Sequence, residues 1–145
     1  MCGRCASSDV PGYMIAQVVG AVIAAIIVLF VKGNPEVQPI TLNVLTALKT
    51  EFLFAFALCY LVLNLVTSKN TSGNSFYGLA IGFTVLVGAY SLGAVSGGAF
   101  NPAVAIGITV MGLSAVANMW IFLVTNFIGG AVAALIFNSL NPDDK

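Results

Sequence analysis

The stretch Ser96-Gly-Gly-Ala-Phe-Asn-Pro-Ala-Val104 decides how the rest of the chain is interpreted. Its glycines permit a tight turn, and Asn101 followed by Pro102 is typical of a helix start, because Asn caps a first turn and Pro fits the first helical position. The apolar run that follows, to about residue 113, gives a helix of roughly 18 Å. This helix is too short to cross a hydrocarbon core of about 30 Å.

Four longer apolar segments flank this short helix, and each is long enough to span a membrane. They cover about residues 12–31, 44–66, 76–95 and 120–140. A short helix between such spans is predicted to be re-entrant, because its free backbone groups must face protein or water. We therefore expect an all-α integral membrane protein, a single domain over residues 1–145, with four transmembrane helices plus one half-helix over about residues 102–113.

The composition supports a membrane environment and excludes several classes of function. Of 145 residues, 59% are hydrophobic and 7% are charged, whereas soluble domains carry about 25% charged residues. Zero net charge and the lack of a basic run argue against nucleic acid as a partner. The sequence has no His, the commonest general base and metal ligand, so we expect no enzyme, no metal site and no cofactor.

The three cysteines indicate little about function. Cys2 and Cys5 have the spacing of a redox motif or half a zinc site, but no βαβ pattern follows and no second pair completes a metal site. Cys59 lies inside an apolar run. We interpret all three as plain thiols.

Asn101, Pro102 and Ala103 are the candidate pore residues. A helix N-terminus carries roughly half a positive charge, which at membrane depth repels cations. The Asn101 carboxamide can cap the helix with its oxygen and offer N–H donors to a lumen, so a bound water points its hydrogens away from the helix. Such a pore passes water and interrupts proton transfer. The tripeptide Asn101-Pro102-Ala103 by itself is best interpreted as an ordinary loop-to-helix start. Residues 96–104, set between a full span and a helix too short to cross the membrane, are better interpreted as a pore element.

An internal repeat relates the first and last spans. When residues 13–25 are set over residues 122–134, Gln17 falls on Asn126 and Gly20 falls on Gly129. Any two spans rich in Ala and Gly can match this well. The repeat is therefore evidence for the fold only in combination with the motifs between the two spans.

Together these features resemble the C-terminal part of an aquaporin, of the major intrinsic protein family. The matching stretches are Tyr13-Met-Ile-Ala-Gln17-Val-Val-Gly20-Ala21, Glu51-Phe52, residues 96–104 and Gly129-Gly-Ala-Val-Ala-Ala134. The resemblance implies the third to sixth spans of that family plus the second of its two half-helices. It also implies a passive channel in a lipid bilayer for water and small neutral solutes such as glycerol, and a full-length parent that is a homotetramer with one pore per subunit.

Two departures from the family pattern qualify this expectation. Nothing corresponds to the first two spans or the first half-helix, which suggests a fragment of the full pore. The family usually has Arg directly after the second Asn-Pro-Ala and, in many members, His at the constriction position in the preceding span, whereas this sequence has Val104 and Ala89. With Gly98 at the loop position, the implied selectivity constriction is wider and less polar than in a strict water channel.

Two polar residues inside spans are candidates for supporting the re-entrant loops. An ionisable residue in lipid is a functional hypothesis by default, and the resemblance implies that Glu51 accepts hydrogen bonds from the backbone of residues 96–100. Gln17 would do the same for the missing first loop. The alternative for Glu51 is an ion pair with Lys49 at the membrane surface.

The positive charges predict an orientation. Four spans place both termini on one side of the membrane. Arg4, Lys69 and Lys145 lie on that side. Lys32 and Lys49 lie on the other. The positive-inside rule therefore puts both termini in the cytoplasm, and the resemblance agrees.

The alternative function is a fragment of a secondary transporter with a discontinuous helix. A transporter should offer ionisable residues near the midplane for ion coupling, and only Glu51 qualifies. The sequence favours the channel.

Overall fold

The computed structural model describes residues 5–144, apart from the side chain of Asp143, and every regular element in this part of the chain is helical. The expectations for Cys2, Arg4 and Lys145 lie outside it. The α-helices are α1 (Val10–Val31), α2 (Val44–Val62), α3 (Tyr77–Ser96), α4 (Pro102–Val110) and α5 (Met119–Leu140). All but α4 belong to helical segments long and apolar enough to cross a membrane. The chain is therefore the all-α, multi-pass integral membrane protein that the sequence predicts.

The half-helix α4 begins at Pro102 and ends at Val110, three residues before the predicted end. Gly112 adopts a left-handed conformation with φ of +74°. The Gly112 N–H donates to the Thr109 carbonyl at 3.0 Å, and the Leu113 N–H donates to the Ile108 carbonyl at 2.9 Å. This pair of bonds is the Schellman motif, which satisfies the last carbonyls and stops the helix.

The second helical segment, Val44–Thr67, has the predicted extent, but α2 ends at Val62 and the last turn, Leu63–Thr67, is π-helical. Loop side chains then bond the carbonyls of this turn: Thr71 Oγ1 donates to the Asn64 carbonyl at 2.5 Å, and Asn74 Nδ2 donates to the Leu65 carbonyl at 2.8 Å. The apolar pattern carries no signal for these bonds.

The helix α5 is the most buried of the spans. Its buried residues form one face: Ile121, Phe122, Thr125, Asn126, Gly129, Ala133, Ala134 and Phe137. This face packs on α2, where a Cβ atom added at Gly129 would lie 2.9 Å from both the Phe52 carbonyl oxygen and the Phe56 nitrogen. Small residues permit such close helix approach in lipid. The half-helix α4 packs against α1 and α5, and α3 packs against α2.

Candidate functional site

The loop between α3 and α4 turns the chain back on itself through left-handed backbone conformations. The φ angles are +92° at Gly97, +63° at Gly98 and +50° at Phe100. Glycine adopts such angles at little cost, whereas Phe does so only when its surroundings enforce it. The turn delivers the chain to Asn101, where α4 starts.

Glu51 supplies the acceptors for this loop. Its side chain is fully buried on α2, at 0% exposed. Its Oε1 accepts hydrogen bonds from Ser96 Oγ at 2.6 Å and from the Ala99 N–H at 3.1 Å. Its Oε2 accepts one from the Phe100 N–H at 2.8 Å. Buried backbone donors have no water to bond in a membrane, so one carboxylate replaces water for two of them.

Glu51 and Gly98 hold the Ser96 side chain in place. Its hydroxyl oxygen donates to Glu51 and accepts from the Gly98 N–H at 3.2 Å. Lys49, which the sequence offers as the alternative partner of Glu51, has an exposed side chain. Both Glu51 oxygens are instead bonded to the loop.

The Phe100 ring locks the loop against α2 and α3. Its centroid lies 5.0 Å from that of Phe54. A Cβ atom added at Gly88 would lie 2.6 Å from Phe100 Cε2 and 2.6 Å from Phe54 Cδ1. Gly88 therefore provides the space that both rings use, and their packing opposes relaxation of the left-handed Phe100 backbone.

Asn101 caps α4, and its Oδ1 accepts from the Ala103 N–H at 2.8 Å. Its amide nitrogen takes no part in this cap. Asn101 and Pro102 line a cavity of about 730 Å³, which Gln17 and Asn126 also line from α1 and α5. Ala103 is buried. The start of α4 thus presents a helix N-terminus and a carboxamide at the edge of this cavity.

The structure brings together two of the three predicted constriction residues. A Cβ atom added at Gly98 would lie 3.6 Å from the Cα atom of Ala89. Val104, which is 43% exposed, lines a groove of about 190 Å³ between α4 and α1, together with Ala24 and Val28. All of these side chains are small or apolar.

The sequence predicts the backbone contacts of residues 96–100 with Glu51 only as a group. The Ser96 hydroxyl contact and the packing of the Phe100 ring depend on backbone angles that the sequence does not reveal. Asn126, 6% exposed on α5, had one signal, its place opposite Gln17 in the internal repeat.

Comparison with known proteins places these features in a family. The sequence model described as Major intrinsic protein matches residues 1–137. Aquaporin NIP1-2 of Arabidopsis thaliana is 30% identical over 155 residues, covering 99% of this chain and 52% of that protein. Aquaporin TIP1-1 of the same plant is 35% identical over 130 residues, covering 86% and 51%. Nodulin-26 of Glycine max is 29% identical over 141 residues, covering 94% and 51%. The chain spans about half the length of these relatives. No solved structure gives a significant match.

Proposed function

Because the chain belongs to the major intrinsic protein family, we propose that it forms part of the wall of a passive transmembrane channel for water and small neutral solutes. The start of α4 carries this proposal. Asn101 caps this helix N-terminus, and the loop that leads into it is held by the hydrogen bond from the Phe100 N–H to Glu51. The names of the relatives, two of them aquaporins, agree with a channel. The whole chain acts as a single membrane domain.

The proposed mechanism follows from the electrostatics of this helix end. The N-terminus of α4 carries roughly half a positive charge, which repels cations. The Asn101 carboxamide oxygen is used by the cap, so its N–H groups remain to donate to a water in the lumen. A water that accepts this bond directs its own hydrogens away from α4 and cannot relay a proton past the helix end. No covalent chemistry and no cofactor are required.

The permeant class follows from the constriction. Ala89 and Gly98, which lie together, and Val104, which lines the groove beside α1, offer no charge and no side-chain donor where the family usually has Arg and often His. A wider and less polar passage admits a solute larger than water, and glycerol is the representative of that class. The proposal is therefore a channel for water and glycerol-like solutes.

Assembly and orientation complete the proposal. Four-span topology and the positive-inside count support a cytoplasmic location for both termini. The exposed apolar side chains of α1 and α3 suit a bilayer or neighbouring subunits, and family resemblance favours a homotetramer of the full-length parent, with one pore per subunit.

Osmotic shrinkage of vesicles tests the function. Vesicles that contain the full chain, with no ion gradient, should shrink faster than empty vesicles in an impermeant osmolyte, and they should re-swell in glycerol. Flux that appears only when an ion gradient is imposed would favour the secondary transporter instead. Equal shrinkage in loaded and empty vesicles would show that copies of this chain do not form a conducting pore by themselves.

A further inference from the structure

The side-chain amide of Asn126 is buried and makes no hydrogen bond to the part of the chain that the structure describes. It lies on α5, is 6% exposed, and neither Nδ2 nor Oδ1 has a partner among residues 5–144. A buried polar group without a partner costs about 1–3 kcal/mol. Native proteins seldom keep such a group without a reason, so the surroundings of Asn126 identify its role.

A candidate partner is the carboxylate of Glu51 on the facing helix α2. The α5 face that carries Asn126 packs on α2, and Gly129 on that face meets the Phe52 carbonyl, one residue beyond Glu51. Asn126 lines the same cavity as Phe100, whose N–H donates to Glu51, and neither polar atom of Asn126 completes a hydrogen bond.

The acceptor positions of Glu51 and the donors of Asn126 are complementary. A carboxylate offers about four acceptor positions, and Glu51 receives three hydrogen bonds, from Ser96, Ala99 and Phe100. One position remains. A carboxamide can present its nitrogen end to that position, because its two ends exchange places on a half-turn about χ2 without movement of α5.

We propose that Asn126 is a positioning residue for the re-entrant loop, donating through Nδ2 to the remaining acceptor position of Glu51 and so tying α5 to residues 96–100. The internal repeat gives Asn126 the place on α5 that Gln17 has on α1. The inference rests on the proposed function only for its effect on flux; the contact itself is a property of the fold.

An engineered carboxyl group at position 126 tests the contact. Glu51 is the only Asp or Glu within α1–α5. The other titratable residues of α2 are Lys49, which is exposed, and Cys59 and Tyr60, which are half-buried. Those on the helices around it are Tyr13 of α1 and Tyr77 and Tyr90 of α3, all exposed, while α4 and α5 carry none. In Asn126→Asp, two adjacent carboxyl groups cannot both ionise readily. The folded protein then keeps a proton that the unfolded chain has lost, so stability falls as the pH rises.

Thermal unfolding of the full chain in detergent is the measurement. Between about pH 5 and about pH 8, Asn126→Asp should lose roughly 5 °C in Tm relative to the wild type. The double variant Glu51→Gln with Asn126→Asp, which has one carboxyl group, should lose clearly less over the same range. The control Asn34→Asp, at an exposed loop position, should follow the wild-type pH profile.

Two results would overturn the proposal. One is an equal fall in Tm for Asn126→Asp with and without Glu51→Gln, since the effect would then come from burial alone. The other is no pH-dependent fall in Asn126→Asp. If Asn126→Asp fails to fold at either pH, a double-mutant cycle of Asn126→Leu with Glu51→Gln decides: coupled losses support the contact, and additive losses refute it. None of these readouts requires flux, so they remain decisive if the channel proposal fails.

Discussion

The Ser96 hydroxyl group donates a hydrogen bond of 2.6 Å to Oε1 of Glu51, across 45 positions of sequence. The same hydroxyl accepts from the Gly98 N–H. This contact joins α2 to the loop that leads into α4. It makes the start of the half-helix depend on a residue in a different span.

The first prediction removes this hydroxyl. Ser96→Ala leaves the Gly98 N–H and one Glu51 acceptor position without their partner, so the free energy of unfolding should fall by about 2 kcal/mol. Ser91→Ala is the control, because the exposed Ser91 hydroxyl bonds only the Val87 carbonyl of its own helix. Chemical unfolding in detergent should show a change below about 0.5 kcal/mol for that control. Equal losses would mean that the contact does not stabilise the loop.

The second prediction compares the two charged residues of α2. Glu51→Leu strands the Ser96 hydroxyl and two backbone N–H groups, so it should cost about 3 kcal/mol or more and lower the folded yield. Lys49→Leu changes an exposed side chain and should be tolerated. Recovery of monodisperse protein after membrane extraction compares them. Equal tolerance would restore the surface ion pair as the role of Glu51.

How far the sequence predicts the fold depends on the range of each interaction. The start of α4 at Pro102 follows from adjacent residues, because Asn and Pro act within one helical turn. The end of α4 follows from the left-handed Gly112, a choice that the apolar run to residue 113 does not reveal. Likewise, the π-helical turn after Val62 depends on loop side chains farther along the chain.

The site was harder to predict than the spans. The resemblance implied a role for Glu51 toward residues 96–100, but composition and periodicity alone gave only an ionisable residue in lipid. The left-handed backbone of Phe100 has no local signal, since Phe does not favour that conformation. It is stabilised by Phe54 and by the space at Gly88, which are distant in sequence.

The third prediction concerns the crossing of α2 and α5. Gly129→Ala places a Cβ atom 2.9 Å from backbone atoms of α2, which cannot move as a side chain can, so it should destabilise the protein by about 2 kcal/mol. Gly130→Ala meets only Cys59 Sγ at 3.5 Å, and its higher helix propensity should make it neutral or stabilising. Thermal unfolding of both variants side by side tests the crossing. Identical behaviour would contradict it.

The fourth prediction concerns Val104. An Arg at this position would add a fixed positive charge and five donors, narrowing the passage more for glycerol than for water. In Val104→Arg the ratio of glycerol to water permeability should fall roughly fivefold, equivalent to about 1 kcal/mol. Stopped-flow light scattering on matched vesicles gives both rates. An unchanged ratio would mean that Val104 only packs against α1.

The central claim is that the start of α4 acts on the permeating molecule as well as on the fold. Asn101→Ala and Asn43→Ala separate these roles, because each removes an Asn N-cap, from α4 and α2 respectively, at a similar cost of about 1 kcal/mol. The measurement is water permeability per folded copy in vesicles. We expect Asn101→Ala to lower it at least about threefold, a barrier increase of at least about 0.65 kcal/mol, while Asn43→Ala keeps the wild-type rate. Equal rates for the wild type and both variants would contradict the account.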